Sequence, residues 1–287
     1  MVPSRRGLMA TTLAALAAPS APSPASAQTP VDLGPVPVWT PVASEGDQFP
    51  IREPFTGEPI AHWNQSAFRP HSIAKAANYP SLYRFEITGE GESWSVDPPT
   101  SQRAEYHVRP TSGAGEEVWV STTLRITGVD PRSRRWCIPF QLHATRIDGD
   151  SGFSPPLELS FNNETGLAVI TRSSPVAPIT SVEAASRVVR AVLPVEQGRF
   201  HRLLVRTVPG PAGTGSLQIW WDGELRVDLR EIPLGYAGEG RTYYPKWGIY
   251  TGPRLGAGDR SIVVEHANME ISRRSLAARS ANPLPLR

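Results

Sequence analysis

The chain has 287 residues, 39% hydrophobic and 20% charged, with 29 basic against 27 acidic side chains. It lacks the strong basic excess of a nucleic-acid or heparin binder. No stretch supplies the roughly 20 apolar residues that a membrane-spanning helix needs.

The N-terminus reads as a bacterial export signal. Ser4-Arg5-Arg6-Gly7-Leu8-Met9 is a twin-arginine pattern, an Ala/Leu-rich stretch runs from Leu8 to Ala18, and Ala25-Ser26-Ala27 is a small-residue cleavage site. Residues 1–27 are therefore set apart from the fold. Their removal takes Arg5 and Arg6 and leaves 27 basic and 27 acidic residues. The expected destination is the periplasm or the cell exterior. Residues 28–45, with Pro30, Pro35, Pro37 and Pro41, read as an extended linker or surface strap. No Pro/Gly/Ser linker divides residues 46–275, which read as one domain. Residues 276–287 read as a flexible tail. A monomer is expected.

A short helical piece is expected around 71–77. From residue 80 onward helical period is scarce and apolar/polar alternation is common, the mark of half-buried strands. Candidate strands are 82–88, 103–109, 117–127, 135–145, 157–162, 167–172, 187–193, 200–208, 216–221, 225–229, 244–250 and 261–271. Asp222-Gly223 between two of them suits a tight hairpin. Many short strands separated by Gly/Pro turns predict an all-β chain, an antiparallel β-sandwich or barrel. Cys137, the only cysteine, cannot form an internal disulfide and falls in an apolar run, as a small buried hydrophobe does.

Three strands carry chemistry-bearing side chains. Residues two apart on a strand share a face. In 103–109 that places Arg103, Glu105, His107 and Arg109 opposite Ala104, Tyr106 and Val108. In 135–143 it places Gln141 and His143 opposite Trp136, Ile138, Phe140 and Leu142. In 243–250 it aligns Tyr244, Lys246, Gly248 and Tyr250, with Gly248 leaving room for a ligand. Each pattern read alone also suits a solvated face or an aromatic packing strand.

Together, Arg103-x-Glu105, Gln141-x-His143 and Tyr244-x-Lys246-x-Gly248-Ile249-Tyr250 resemble, in order and spacing, the motifs of polysaccharide lyases related to heparin lyase I and glucuronan lyase. Trp220-Trp221-Asp222-Gly223 resembles a tryptophan-bearing segment of the same folds. The resemblance covers roughly residues 60–272. It implies a concanavalin-like β-jelly roll with a long cleft. It also implies β-elimination at a uronic acid, with His143 and Tyr250 as the proton-transfer groups. Arg103, Gln141 and Lys246 would neutralise the substrate carboxylate, and Tyr244 would bind substrate. Thr251 stands where family members often have Arg. The family's N-terminal Gln or Asn has two candidates here, Asn64 and Gln65.

The implied partner is an acidic polysaccharide, with no cofactor required. Asp148-Gly149-Asp150-Ser151-Gly152 is an oxygen-rich turn of the kind that binds calcium. Two other functions compete with the lyase. One is a non-catalytic carbohydrate-binding module on the same fold. The other is a glycoside hydrolase, which would need a carboxylate pair; the strand around Glu158 offers one acid, with Asn162 where a second would help. Arg132-Ser133-Arg134-Arg135 reads as a solvated turn ahead of its strand, or as a contact for an anionic chain.

Overall fold

The structure, a computed structural model, describes residues 36–42, 51–89, 94, 97–109, 111–130, 135–161, 166–256, 258–282 and 284. The export signal, most of the Pro-rich segment, Arg132 to Arg134 and Asn162 lie outside the described residues. Among the described residues, alternation becomes sixteen strands. The first six are β1 (Trp39–Pro41), β2 (His62–Ser66), β3 (Ile73–Ala76), β4 (Leu82–Ile87), β5 (Gln102–Val108) and β6 (Ser112–Gly113). Next come β7 (Val118–Thr127), β8 (Trp136–Ala144), β9 (Leu157–Phe161), β10 (Leu167–Ser174) and β11 (Ser186–Leu193). The last five are β12 (Phe200–Val208), β13 (Gly210–Trp221), β14 (Glu224–Tyr236), β15 (Thr242–Gly252) and β16 (Ile262–Ser272).

They form an antiparallel β-sandwich of jelly-roll type. One layer runs β1-β3-β4-β16-β7-β12-β13-β14 and the other β10-β9-β8-β15-β5-β2. In the second layer β11 flanks β10 and β6 flanks β15. A short parallel pairing of β10 with β14 joins the layers at one corner. Apolar faces of both layers meet between them. Phe85 of β4 packs edge-on against Tyr106 of β5, with Trp247 of β15 and Phe140 of β8 also buried in that core. The outer face of β2, β5, β15, β8, β9 and β10 carries the polar residues that alternate with this core.

Within 71–77 the chain forms a strand, β3, and not a helix. β3 pairs with β4 through Ile73–Phe85, Ala74–Arg84 and Lys75–Tyr83. Its Ile73, Ala74 and Ala76 are buried, so ladder and packing override the helical propensity of an Ala-rich run. Trp136 and Ile138 also depart from expectation. They face outward with Gln141 and His143, while Cys137, Phe140 and Leu142 face the core. The phase changes at Pro139, which has no N–H for the ladder and is tolerated in a central strand only at an irregularity. The register slips there against β9, between Cys137–Phe161 and Phe140–Leu159. The Pro139 carbonyl lies 3.0 Å from Nε2 of His266 in the opposite layer, which donates to it. Burial holds the His266 pKa down at about 3.

Asp222 and Gly223 both have positive φ, as the tight β13–β14 hairpin requires. Trp221 enters the core there and Trp220 stacks on Trp119, so this hairpin belongs to the layer away from the polar face. At the C-terminus Leu276 packs with Trp119 and Leu204, and Arg279 makes a two-pronged pair with Glu270 at 2.9 and 3.0 Å. These contacts dock the first part of the segment expected as a tail. The described part of the Pro-rich strap, β1, pairs along β3.

Candidate active site

The outer face of the second layer bears a cleft of about 590 Å³. All six residues singled out by the motifs, Arg103, Gln141, His143, Tyr244, Lys246 and Tyr250, line it. The register shows why. β15 lies between β5 and β8, with Lys246 directly opposite both His107 and Gln141. Tyr244 is opposite His143, and Tyr250 is opposite Arg103 and Ile138. The Lys246–Gln141 row therefore sits between the rows carrying His143 and Tyr250.

Gly248 does not open a gap for a ligand. Its φ is +131°, and an added Cβ would meet the Ala104 carbonyl oxygen at 2.2 Å and the Phe85 ring at 2.8 Å. Glycine is required because β15 approaches β5 closely while it bulges against β8, between Trp247–Phe140 and Tyr250–Ile138.

At the centre is a buried charge network. Glu105 accepts from Gln141 Nε2 and from Arg103 Nη1, the latter at 3.0 Å, and lies 3.8 Å from Lys246 Nζ. Gln65, from the edge strand β2, accepts through Oε1 from Lys246 Nζ at 3.0 Å and from Arg103 Nη1 at 3.2 Å. Of the two N-terminal candidates, Gln65 is therefore the one in the cleft. Asn64 pairs in register with the core residue Tyr106.

Asp97, from a loop that gave no sequence signal, takes the rest of Arg103, with Nε at 3.0 Å and Nη2 at 2.9 Å from Oδ1. Every nitrogen of the Arg103 guanidinium thus has a partner within the chain. Its carbon lies 4.1 Å from the centroid of the Tyr250 ring, in cation–π contact. Burial raises the Asp97 pKa against the pull of Arg103. Burial lowers that of Lys246 to about 8, with Glu105 opposing the fall.

Four rings stack in a row, and three of them, His107, Tyr244 and His143, line the cleft. Trp63 stacks on His107 at 4.7 Å, His107 on Tyr244 at 4.2 Å, and Tyr244 on His143 at 5.6 Å. Tyr244 Oη lies 3.4 Å from His143 Nδ1. Burial, with Lys246 adding to it, pushes His143 well below the ordinary histidine range, so its imidazole is neutral. Burial raises the Tyr244 phenol to about 12.

A polysaccharide lyase family profile matches residues 62–266, most of the chain. The chain belongs to the polysaccharide lyase family. Its fold is similar to that of the endo-β-1,4-glucuronan lyase of the fungus Trichoderma reesei, at 13% identity and a TM-score of 0.55. That match covers 82% of this chain and 94% of the fungal one. An alginate lyase of Pseudomonas aeruginosa is 16% identical over 72% of this chain and 88% of its own, with a TM-score of 0.49. No curated protein matches the chain.

The remaining expectations for this lyase concern residues outside the network. Thr251, where relatives often carry Arg, is fully buried and donates to the Trp136 carbonyl at 2.6 Å. Cys137 is buried, and burial raises its thiol to about 12. In the Asp148–Gly152 turn on which the calcium expectation rested, Asp150 accepts from Arg241 Nη1 at 2.9 Å and Nη2 at 3.1 Å, and from the backbone N–H groups of Ile147 and Ile179. Both its oxygens are therefore engaged. No group of three or more His, Cys, Asp or Glu side chains is poised to hold a metal among the described residues. Glu158 is paired with Arg172 at 2.8 and 3.1 Å. The same residues show no helix long and apolar enough to cross a membrane.

Proposed function

We propose that this lyase is exported and cleaves a uronic-acid-containing polysaccharide by β-elimination. The observation that carries the reading is the register of the cleft. Two carboxylate-binding groups, Lys246 and Gln141, face each other across β15 and β8, between a neutral imidazole and a phenol. The C5 proton of a uronate lies α to its carboxylate. Its removal spreads charge onto that carboxylate, which fixed donors must stabilise. Lys246 supplies the cation and Gln141 an amide donor.

When proton and leaving oxygen lie on opposite faces of the sugar, His143 takes the C5 proton and Tyr250 protonates O4. When they share a face, Tyr250 in its phenolate form takes the C5 proton and then gives it to O4. In either case the C–H electron pair becomes the C4–C5 double bond as the C4–O4 bond breaks. Arg103, saturated by Asp97, Glu105 and Gln65, acts by holding its charge against the Tyr250 ring.

A hydrolytic reading is disfavoured by the acids themselves. Asp97, Glu105 and Glu158 are each ion-paired to an arginine and not left as the separated pair of a glycosidase. Export is supported by the twin-arginine pattern and cleavage site in residues 1–27. The test is ultraviolet absorbance of the unsaturated uronate during incubation with glucuronan, alginate, heparin, heparan sulfate, hyaluronan and pectate. Tyr250→Phe lowers turnover about 10²–10⁴-fold, the usual worth of one general acid or base. A folded Tyr250→Phe enzyme with wild-type turnover would remove Tyr250 from the mechanism. Polysaccharide binding without unsaturated product would favour the non-catalytic module.

A further inference from the structure

The motifs leave His107 without a role, yet it stands at the middle of the ring stack and directly opposite Lys246. We propose that His107 is a further substrate-binding residue: a neutral imidazole fixed in the Nε2–H tautomer that donates this hydrogen to an oxygen of the polysaccharide. The proposal rests on the reading of the cleft as the lyase site.

The tautomer follows from Gln65. Its Oε1 faces two cations, Lys246 Nζ at 3.0 Å and Arg103 Nη1 at 3.2 Å. The reverse orientation of the amide would turn N–H groups against both cations, so the network fixes which end is which. The other end, Nε2, lies 2.8 Å from His107 Nδ1. An amide nitrogen only donates, so Nδ1 must accept, and the single proton of the neutral ring resides on Nε2.

The ring cannot turn away. Trp63 covers one face, nearly parallel at 3°, and Tyr244 covers the other at 8°. Burial, together with Lys246 and Arg103, keeps the His107 pKa at about 3, so the ring remains neutral beside those cations. His107 lines the cleft, and its Nε2 has no partner among the described residues. A held N–H directed at substrate space, one strand from the Lys246–Gln141 row, matches a hydroxyl or carboxylate oxygen of a bound sugar.

Nitrogen-15 NMR of the histidine-labelled full chain reads the tautomer without substrate, the His107 signals being those missing from His107→Phe. The expected result is an unprotonated Nδ1 and a protonated Nε2. A protonated Nδ1 overturns the proposal whatever the enzyme cleaves. Affinity for glucuronan and alginate oligosaccharides is the second arm. His107→Gln can still reach with a donor near the Nε2 position, His107→Asn keeps only the acceptor for Gln65, and His107→Phe keeps only the stack. Loss of one neutral hydrogen bond lowers affinity about three- to tenfold in the Asn and Phe variants, and the Gln variant recovers most of it. Equal affinity in all four proteins overturns the proposal. If wild type binds an oligosaccharide without forming unsaturated product, the elimination reading fails while the affinity series still decides His107. If it neither binds nor cleaves any of the six polysaccharides named above, both fall.

Discussion

Lys246 shows how much one side chain's surroundings decide. Its pKa falls from 10.5 to about 8 because it is buried, although Glu105 and the Gln65 carbonyl oxygen hold the charged form. Activity that depends on the ammonium must decline as pH rises through about 8. Stability moves the other way. Between about 8 and 10.5 the unfolded chain holds this proton and the folded chain does not, so the group adds stability as pH rises. The expected outcome is a fall in kcat/KM through pH 8 with no matching fall in melting temperature. Lys246→Gln is slower throughout and loses that limb of the profile. A wild-type limb that persists unchanged in Lys246→Gln would assign it to another group. Residues such as Arg103, Glu105 and His107 were legible in the sequence, because strict alternation puts them on one face. Asp97 was not, since a loop residue has no period, and neither was the saturation of Arg103 that Asp97 completes.

The bulges of β8 and β15 set which side chains reach the cleft. Gly248 is the most constrained position in them, and Gly248→Ala must move either the Ala104 carbonyl or the Phe85 ring. Overpacking and an unfavourable φ together cost about 2–5 kcal/mol. The shift of β15 from β5 also disturbs Lys246 and Tyr250. Thermal melting and turnover both fall in this variant; an unaltered melting temperature would show that the strand accommodates the methyl group. Tyr244, Lys246 and Tyr250 were readable as one face because the bulge leaves their spacing of two intact. Trp136 and Ile138 were misread for the opposite reason. An alternation rule carried through Pro139 assigns them to the core, whereas the slip at Pro139 turns them outward. Strand β3 was misread because its Ala-rich sequence favours a helix locally, while its two ladder partners, β1 and β4, are supplied from elsewhere in the chain.

For the whole molecule, charge is balanced overall and nearly so in the cleft. Without residues 1–27 the chain has as many basic as acidic side chains. Within the cleft four cations, Arg103, Arg146, Arg172 and Lys246, face three carboxylates, Asp97, Glu105 and Glu158, an excess of one positive charge. Long-range attraction therefore contributes little to capture of a polyanion, and binding relies on contacts made at close range. KM is expected to change by less than about threefold as ionic strength rises to about 0.15 M, where screening extends over about 8 Å. A steep salt dependence in steady-state kinetics would contradict this balance. The sandwich itself was legible from alternation and turn residues. The order of its strands was not, because β16 pairs with β4 and β7 across long stretches of chain that carry no local mark of the pairing.

That placement also has a meaning in time. A ribosome delivers β4 and β7 long before β16, and the seat between them is empty until β16 emerges. Growing chains therefore present two unpaired strand edges, and docking of the last strand closes the layer that backs the cleft. This layer cannot be completed before β16 has been made. Any partner that shields nascent edges acts during the interval in which β16 has yet to emerge.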